Sequence, residues 1–122
     1  MRSILLAVAL LLIPASAQAA DGQCRIGSMW VMPNSDGTAT LTSPSGKRCG
    51  VMGQLQTGGG SNFRGVTIKT QPANGKATSS GTRVFYQSKP GYRGSDSFIF
   101  VIQGEHRGQP ATGTVKVSVT VE

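Results

Sequence analysis

Val84-Phe85-Tyr86-Gln87-Ser88-Lys89-Pro90-Gly91-Tyr92-Arg93-Gly94-Ser95-Asp96-Ser97-Phe98-Ile99-Phe100 reads as two β-type runs joined by a corner that Pro90, Gly91 and Gly94 punctuate. Alternation places Val84 and Tyr86 inward in the first run, and Phe98, Phe100 and Ile102 inward in the second. Pro90 blocks continuation of a ladder, the two glycines admit backbone angles that other residues resist, and the Tyr92 ring is placed to plug the end of a core. Working outward, Val115, Val117, Val119 and Val121 alternate with Lys116, Ser118 and Thr120, and Val66 and Ile68 alternate with Thr67 and Lys69. Between these runs, Gln71-Pro72-Ala73-Asn74-Gly75 is a turn, Lys76–Ser79 a short strand, and Gly81 a second turn before the Thr82–Gln87 run. No helical period competes after the N-terminal apolar run, so seven or eight short strands predict an all-β sandwich.

The same stretch resembles bacterial immunoglobulin-like and cadherin-like domains. In those, a strand ending in Tyr passes through a Pro-Gly-aromatic-x-Gly-x-Asp corner into a Phe-x-aromatic strand. Tyr86, Pro90, Gly91, Tyr92, Gly94, Asp96, Phe98 and Phe100 fill that pattern in order, and the resemblance runs from about Arg64 to Glu122. It implies an immunoglobulin-like Greek-key β-sandwich. The corner is similar to the tyrosine corner of such folds, although relatives often carry Phe at the place of Tyr92, which puts the weight on the ring. Cadherin-like relatives that bind calcium use carboxylates near strand ends, yet calcium needs about six to eight oxygen ligands. Here Asp21, Asp36, Asp96, Glu105 and Glu122 are scattered singly, and Gln103-Gly104-Glu105 replaces the Asp-Gly that relatives place after the Phe strand. Asp96 is therefore expected to cap the corner through backbone N–H groups, and no metal or other cofactor is expected.

The N-terminus has a different character. Met1-Arg2-Ser3, the apolar run Ile4–Ile13 and the small-residue stretch ending in Ala17-Gln18-Ala19 form a secretory signal pattern, with cleavage expected after Ala19. The apolar run is shorter than the roughly 20 residues that span a bilayer. Cys24 follows Asp21-Gly22-Gln23, unlike a lipoprotein signal. Residues 1–19 thus read as a signal peptide and 20–122 as a single domain, of which 20–63 lies outside the resemblance. The expected location is periplasmic or extracellular. Export makes a Cys24–Cys49 disulfide the default. Antibody-type domains bridge strands distant in sequence, so this short-range bridge departs from their pattern and would secure the N-terminal half.

In that half, the apolar stretch Ile26–Met32, the turn Pro33-Asn34-Ser35-Asp36-Gly37 and the β-rich Thr38–Thr42 predict a hairpin. Ser43-Pro44-Ser45-Gly46 is a further turn, Val51–Leu55 a third strand, and Thr57–Asn62 a flexible glycine-rich loop.

Function is less legible. Loss of Arg2 with the signal would leave eleven basic against five acidic residues, a balance that favours solubility and attracts polyanions such as acidic polysaccharide or lipopolysaccharide. Aromatics interleaved with basic residues are absent, which argues against nucleic acid. His106 is the sole histidine, and a Glu105/His106 pair on a loop lacks the fixed geometry that proton transfer needs. No nucleophile motif appears. The basic residues Lys47, Arg48, Lys89, Arg93 and Arg107 do not fall at one end of the chain's expected strands. The expectation is a non-catalytic binding or adhesion module acting at the bacterial envelope through its sandwich surface. An unknown envelope protein or an acidic polysaccharide is the expected partner, and homo-oligomerisation is a further one. The rivals are an inhibitor or small enzyme using the Gly104–Pro110 loop and a purely structural envelope protein. Phe85, Ile99, Val101 and Arg107 are the candidate partner-binding residues. The first three stand where relatives carry polar, outward residues, and the segment Ile26–Leu55 is expected to cover the Ile99/Val101 strip.

Overall fold

The computed structural model describes residues 22–51 and 61–122, with the side chain of Ser61 excepted. The expected signal segment, residues 52–55 of the expected third strand and residues 57–60 of the expected glycine-rich loop lie outside the described residues. Eight strands and no helix are described: β1 (Arg25–Trp30), β2 (Ser35–Ser43), β3 (Arg48–Gly50), β4 (Ser61–Thr70), β5 (Gly75–Ser80), β6 (Arg83–Ser88), β7 (Gly94–His106) and β8 (Gln109–Val121). They form a five-stranded sheet ordered β1-β2-β8-β7-β4 and a three-stranded sheet ordered β3-β6-β5.

Strict alternation is what makes each sheet one-sided. Val115, Val117, Val119 and Val121 are buried on β8, and Phe98, Phe100 and Ile102 on β7, while Lys116, Ser118 and Thr120 are exposed. The three-stranded sheet answers with Cys49, Ala77, Val84 and Tyr86, and Val51 just beyond β3 joins the same cluster. The Tyr86 ring of β6 lies parallel to the Phe98 ring of β7 at 5.7 Å, and Phe98 meets Phe100 at 6.3 Å, so an aromatic column crosses between the sheets.

β2 and β8 run parallel from Ser35↔Gly113 to Ser43↔Val121. Such a pair requires a crossover, and here nearly all the intervening chain supplies it. β1 folds back antiparallel on β2 as the expected hairpin, with Arg25↔Thr42 and Trp30↔Thr38 in register. The turn is tighter than expected: Pro33 and Asn34 make it, whereas Asp36 and Gly37 already belong to β2. Asn34, at φ 55°, donates its N–H to the Thr112 carbonyl at 2.6 Å and accepts from the Thr112 N–H through its side chain at 3.2 Å. Gly37 is buried because the chain passes over it; a Cβ there would stand 2.1 Å from the Trp30 carbonyl oxygen.

The disulfide between Cys24 and Cys49 is formed, with Cα atoms 5.7 Å apart. It ties the residue preceding β1 to β3, and so joins the two sheets. No helix among the described residues is long and apolar enough to cross a membrane.

Candidate functional site

The corner does carry the chain from the three-stranded sheet (β6) to the five-stranded sheet (β7). The Tyr92 N–H donates to the Lys89 carbonyl at 3.1 Å, Gly91 and Gly94 take φ of 82° and 134°, and Tyr92 packs half-buried against the core. Its hydroxyl also donates to the Ser95 carbonyl. Asp96 does more than the expected capping. Its carboxylate accepts from the neighbouring Ser97 N–H, but it also reaches the β4–β5 turn, taking the N–H groups of Ala73 at 3.1 Å and Asn74 at 3.2 Å, and it accepts the Tyr86 hydroxyl at 2.8 Å. It therefore takes a backbone N–H of its own corner and also latches a distant turn. Burial, and then this bond to the carboxylate, push the Tyr86 hydroxyl well above the ordinary tyrosine range.

The outer face of the three-stranded sheet gathers charge. The ladder registers Arg48↔Gln87↔Lys76 and Gly50↔Phe85↔Thr78 place these residues in two adjacent rows on the side away from the core, followed by Arg83↔Ser80. The Arg48 guanidinium carbon sits 3.9 Å from the centroid of the Phe85 ring, a stacking geometry worth about 0.5–1 kcal/mol at an exposed site. The stack fixes a donor fork that otherwise would sample many rotamers. An open depression of about 360 Å³ is lined by Arg48, Lys76, Thr78, Ser79, Phe85, Tyr86 and Gln87. No Asp or Glu lies on β3, β5 or β6, and an ion pair lies elsewhere, between Arg64 and Glu105 at 2.7 Å. Arg48 and Lys76 thus face solvent from the depression without a carboxylate partner among the described residues.

The structure does not bring the four candidate partner-binding residues together. Phe85 is the floor of that depression, under Arg48. Ile99 and Val101 lie on β7 in the other sheet, half-buried among their cross-strand neighbours Thr70 and Lys116, and Thr67 and Thr114. Arg107 is at the tip of the β7–β8 hairpin, with φ 53°. The expected lid over Ile99 and Val101 is not made by residues 26–51. β1 lies in the plane of the five-stranded sheet, separated from β7 by β2 and β8, because hydrogen bonding to β2 holds it at the edge.

The expected Gly104–Pro110 loop is also corrected. Glu105↔Pro110 and His106↔Gln109 continue the ladder, and only Arg107 and Gly108, both at positive φ, make the turn. Consecutive residues on a strand face opposite ways, so Glu105 and His106 do not converge. Among the described residues no group of three or more His, Cys, Asp or Glu is placed to hold a metal ion.

Lys76, Thr78 and Arg83 were not singled out by sequence reasoning. A signal for them exists, since the chain between Asp36 and Asp96 holds eight Lys and Arg and no Asp or Glu. Comparison with family models, with curated proteins and with solved structures found no match for this chain.

Proposed function

We propose that this chain is an exported, non-catalytic immunoglobulin-like module of the bacterial envelope that binds acidic polysaccharide through the outer face of its three-stranded sheet. The observation that carries the reading is the carboxylate-free face on which Arg48 is held over Phe85 beside Lys76. Arginine's planar fork suits a uronate carboxylate or a sulfate, lysine adds a point charge, and the Thr78 hydroxyl matches a sugar hydroxyl. The strand order supports the fold assignment. With β1 set aside, β2 to β8 follow the A-to-G arrangement of an immunoglobulin-like Greek key, B-E-D against C-F-G, with the first strand joined to the C-F-G side. Export is supported by the signal pattern of residues 1–19 and by the disulfide.

The test is binding of the processed, oxidised protein to polygalacturonate, with lipopolysaccharide as a second anionic source. Binding should weaken steeply as salt shortens the screening length toward about 8 Å. Arg48→Ser with Lys76→Ser should lower affinity roughly 10- to 100-fold, as expected for losing charge-assisted contacts, while Arg107→Ser should leave it unchanged. Equal loss in all variants would reduce the interaction to net charge. Binding to lipopolysaccharide alone would move the target to its phosphates, and no binding at low salt would overturn the reading.

A further inference from the structure

β1 is an edge strand of unusual composition. Ile26, Trp30 and Met32 are the exposed large hydrophobic residues of the described chain, at 45%, 57% and 61% exposure, and all three fall within β1 or two residues beyond it. Ile26 to Pro33 contains no charged residue. The other edges carry the features that discourage edge-to-edge pairing. β4 has Arg64, Lys69 and two register shifts, β3 is three residues long with Arg48 on it, and β5 presents Lys76. β1 has a single irregularity, between Ile26 and Met29, and its own side away from β2 has no described strand.

We propose that β1 is the interface between two copies of this chain, paired antiparallel about a two-fold axis between Gly27 and Ser28. The occupant follows from the strand's self-complementarity. In this register Ile26 lies opposite Met29 of the second copy, and Arg25 opposite Trp30 of the second copy. The faces agree. Arg25 and Trp30 are in register with Thr42 and Thr38, on the sheet's outward face, whereas Ile26 and Met29 are in register with Leu41 and Ala39, whose side chains are buried on the core side. A two-fold axis normal to the sheet keeps outward residues with outward residues. It therefore sets each guanidinium against an indole, a cation–π pair made twice, and each Ile26 against a methionine. The two Arg25 side chains stand five strand positions apart, about 17 Å at about 3.4 Å per residue, beyond the screening length of about 8 Å at physiological salt. A protein with a net charge of +7 is thus joined along a stretch where its charges are either absent or matched to an aromatic face. The neighbouring disulfide at Cys24 anchors the start of the strand before association, which lowers the ordering cost of pairing.

The experiment is sedimentation of the processed, disulfide-intact protein over a range of concentrations, with near-ultraviolet circular dichroism to confirm the fold of each variant. Wild type should show a concentration-dependent dimer. Trp30→Lys sets a cation against Arg25 of the other copy and should raise the dissociation constant by roughly tenfold or more; the side chain is more than half exposed, so the core is untouched. Combining Trp30→Lys with Arg25→Glu should restore the dimer. That rescue is specific to this register, because the two residues are too far apart along one strand to pair within a chain. A wild type that is monomeric at every concentration, a dimer indifferent to Trp30→Lys, or a broken dimer that Arg25→Glu does not restore would each overturn the proposal. None of these outcomes depends on polysaccharide binding, which is read separately with the Arg48→Ser and Lys76→Ser variants of the depression, the candidate cradle for polysaccharide.

Discussion

Asp96→Ala should be among the most damaging substitutions at a partly exposed position. Its carboxylate serves four donors: the N–H groups of Ala73, Asn74 and Ser97, and the Tyr86 hydroxyl. Ala73 and Ser97 are exposed, so water can replace the lost acceptor there. Asn74 is half-buried and Tyr86 fully buried. Leaving the Tyr86 hydroxyl without a partner costs about 1–3 kcal/mol, and the Asn74 N–H adds about 1 kcal/mol, for a total of about 2–4 kcal/mol. Tyr86→Phe alone should cost about 1 kcal/mol, because it removes the hydroxyl together with its need for a partner and keeps the stack on Phe98. In the double variant no buried hydroxyl is stranded. The double should therefore be more stable than the sum of the singles predicts, with a coupling of about 1–2 kcal/mol. Urea titration of the disulfide-intact proteins measures all three values, provided the denaturant slopes agree. Additive effects, with coupling under about 0.3 kcal/mol, would refute the latch.

Three further outcomes follow from the same geometry. The raised Tyr86 ionisation means that the folded state keeps its proton where the unfolded chain loses it, so this contribution is complete below about pH 10 and declines above it; urea midpoints should fall from pH 10 upward, and Tyr86→Phe should flatten that fall. Ile99→Thr with Val101→Thr should lower the thermal midpoint by only a few degrees, about 1 kcal/mol in all, because both residues are half-buried among cross-strand neighbours, and sedimentation should show the wild-type oligomeric state. Gly37→Ala should destabilise by about 2 kcal/mol or more, since the added methyl would stand 2.1 Å from the Trp30 carbonyl oxygen; thermal melts check it, and a wild-type midpoint would contradict the close approach of β1 to β2.

What was legible in the sequence is what local alternation can express. The strands from Gly75 to Val121 and the Pro90–Asp96 corner could be read because one face of each is buried and the turn residues are chemically marked. Asp36-Gly37 is a turn signal in isolation, yet the pair lies within β2. Its glycine is instead required by the chain of Trp30 and Val31 passing over it, a contact no window of sequence displays. The Gly104–Pro110 stretch looked like a loop by composition, yet a two-residue turn at Arg107-Gly108 lets the ladder run almost to its tip. The rows of Arg48, Gln87 and Lys76 depend on register among three strands, so the candidate cradle could be suspected from the acid-free interval but not located.

The disulfide connects the two proposed surfaces, and this gives it a role beyond stability. Cys49 is the neighbour in sequence of Arg48, the cation held over Phe85, while Cys24 is the neighbour of Arg25, the residue placed against Trp30 of the second copy. The bond is thus the covalent tie between the edge strand of one sheet and the edge strand of the other. With its sequence separation of 25 residues, opening it should destabilise the fold by roughly 3 kcal/mol in the chain-entropy account. Among the described strands β1 is held otherwise by one neighbour, β2, so it should loosen first. Cys24→Ser with Cys49→Ser should accordingly lose dimerisation at temperatures where the core is still folded, and the cradle should weaken as β3, three residues long, loses its anchor. Sedimentation and polysaccharide binding, each measured well below the variant's melting point, separate these effects. A variant that melts earlier yet dimerises and binds like wild type would show that the bond stabilises the sandwich without organising either surface.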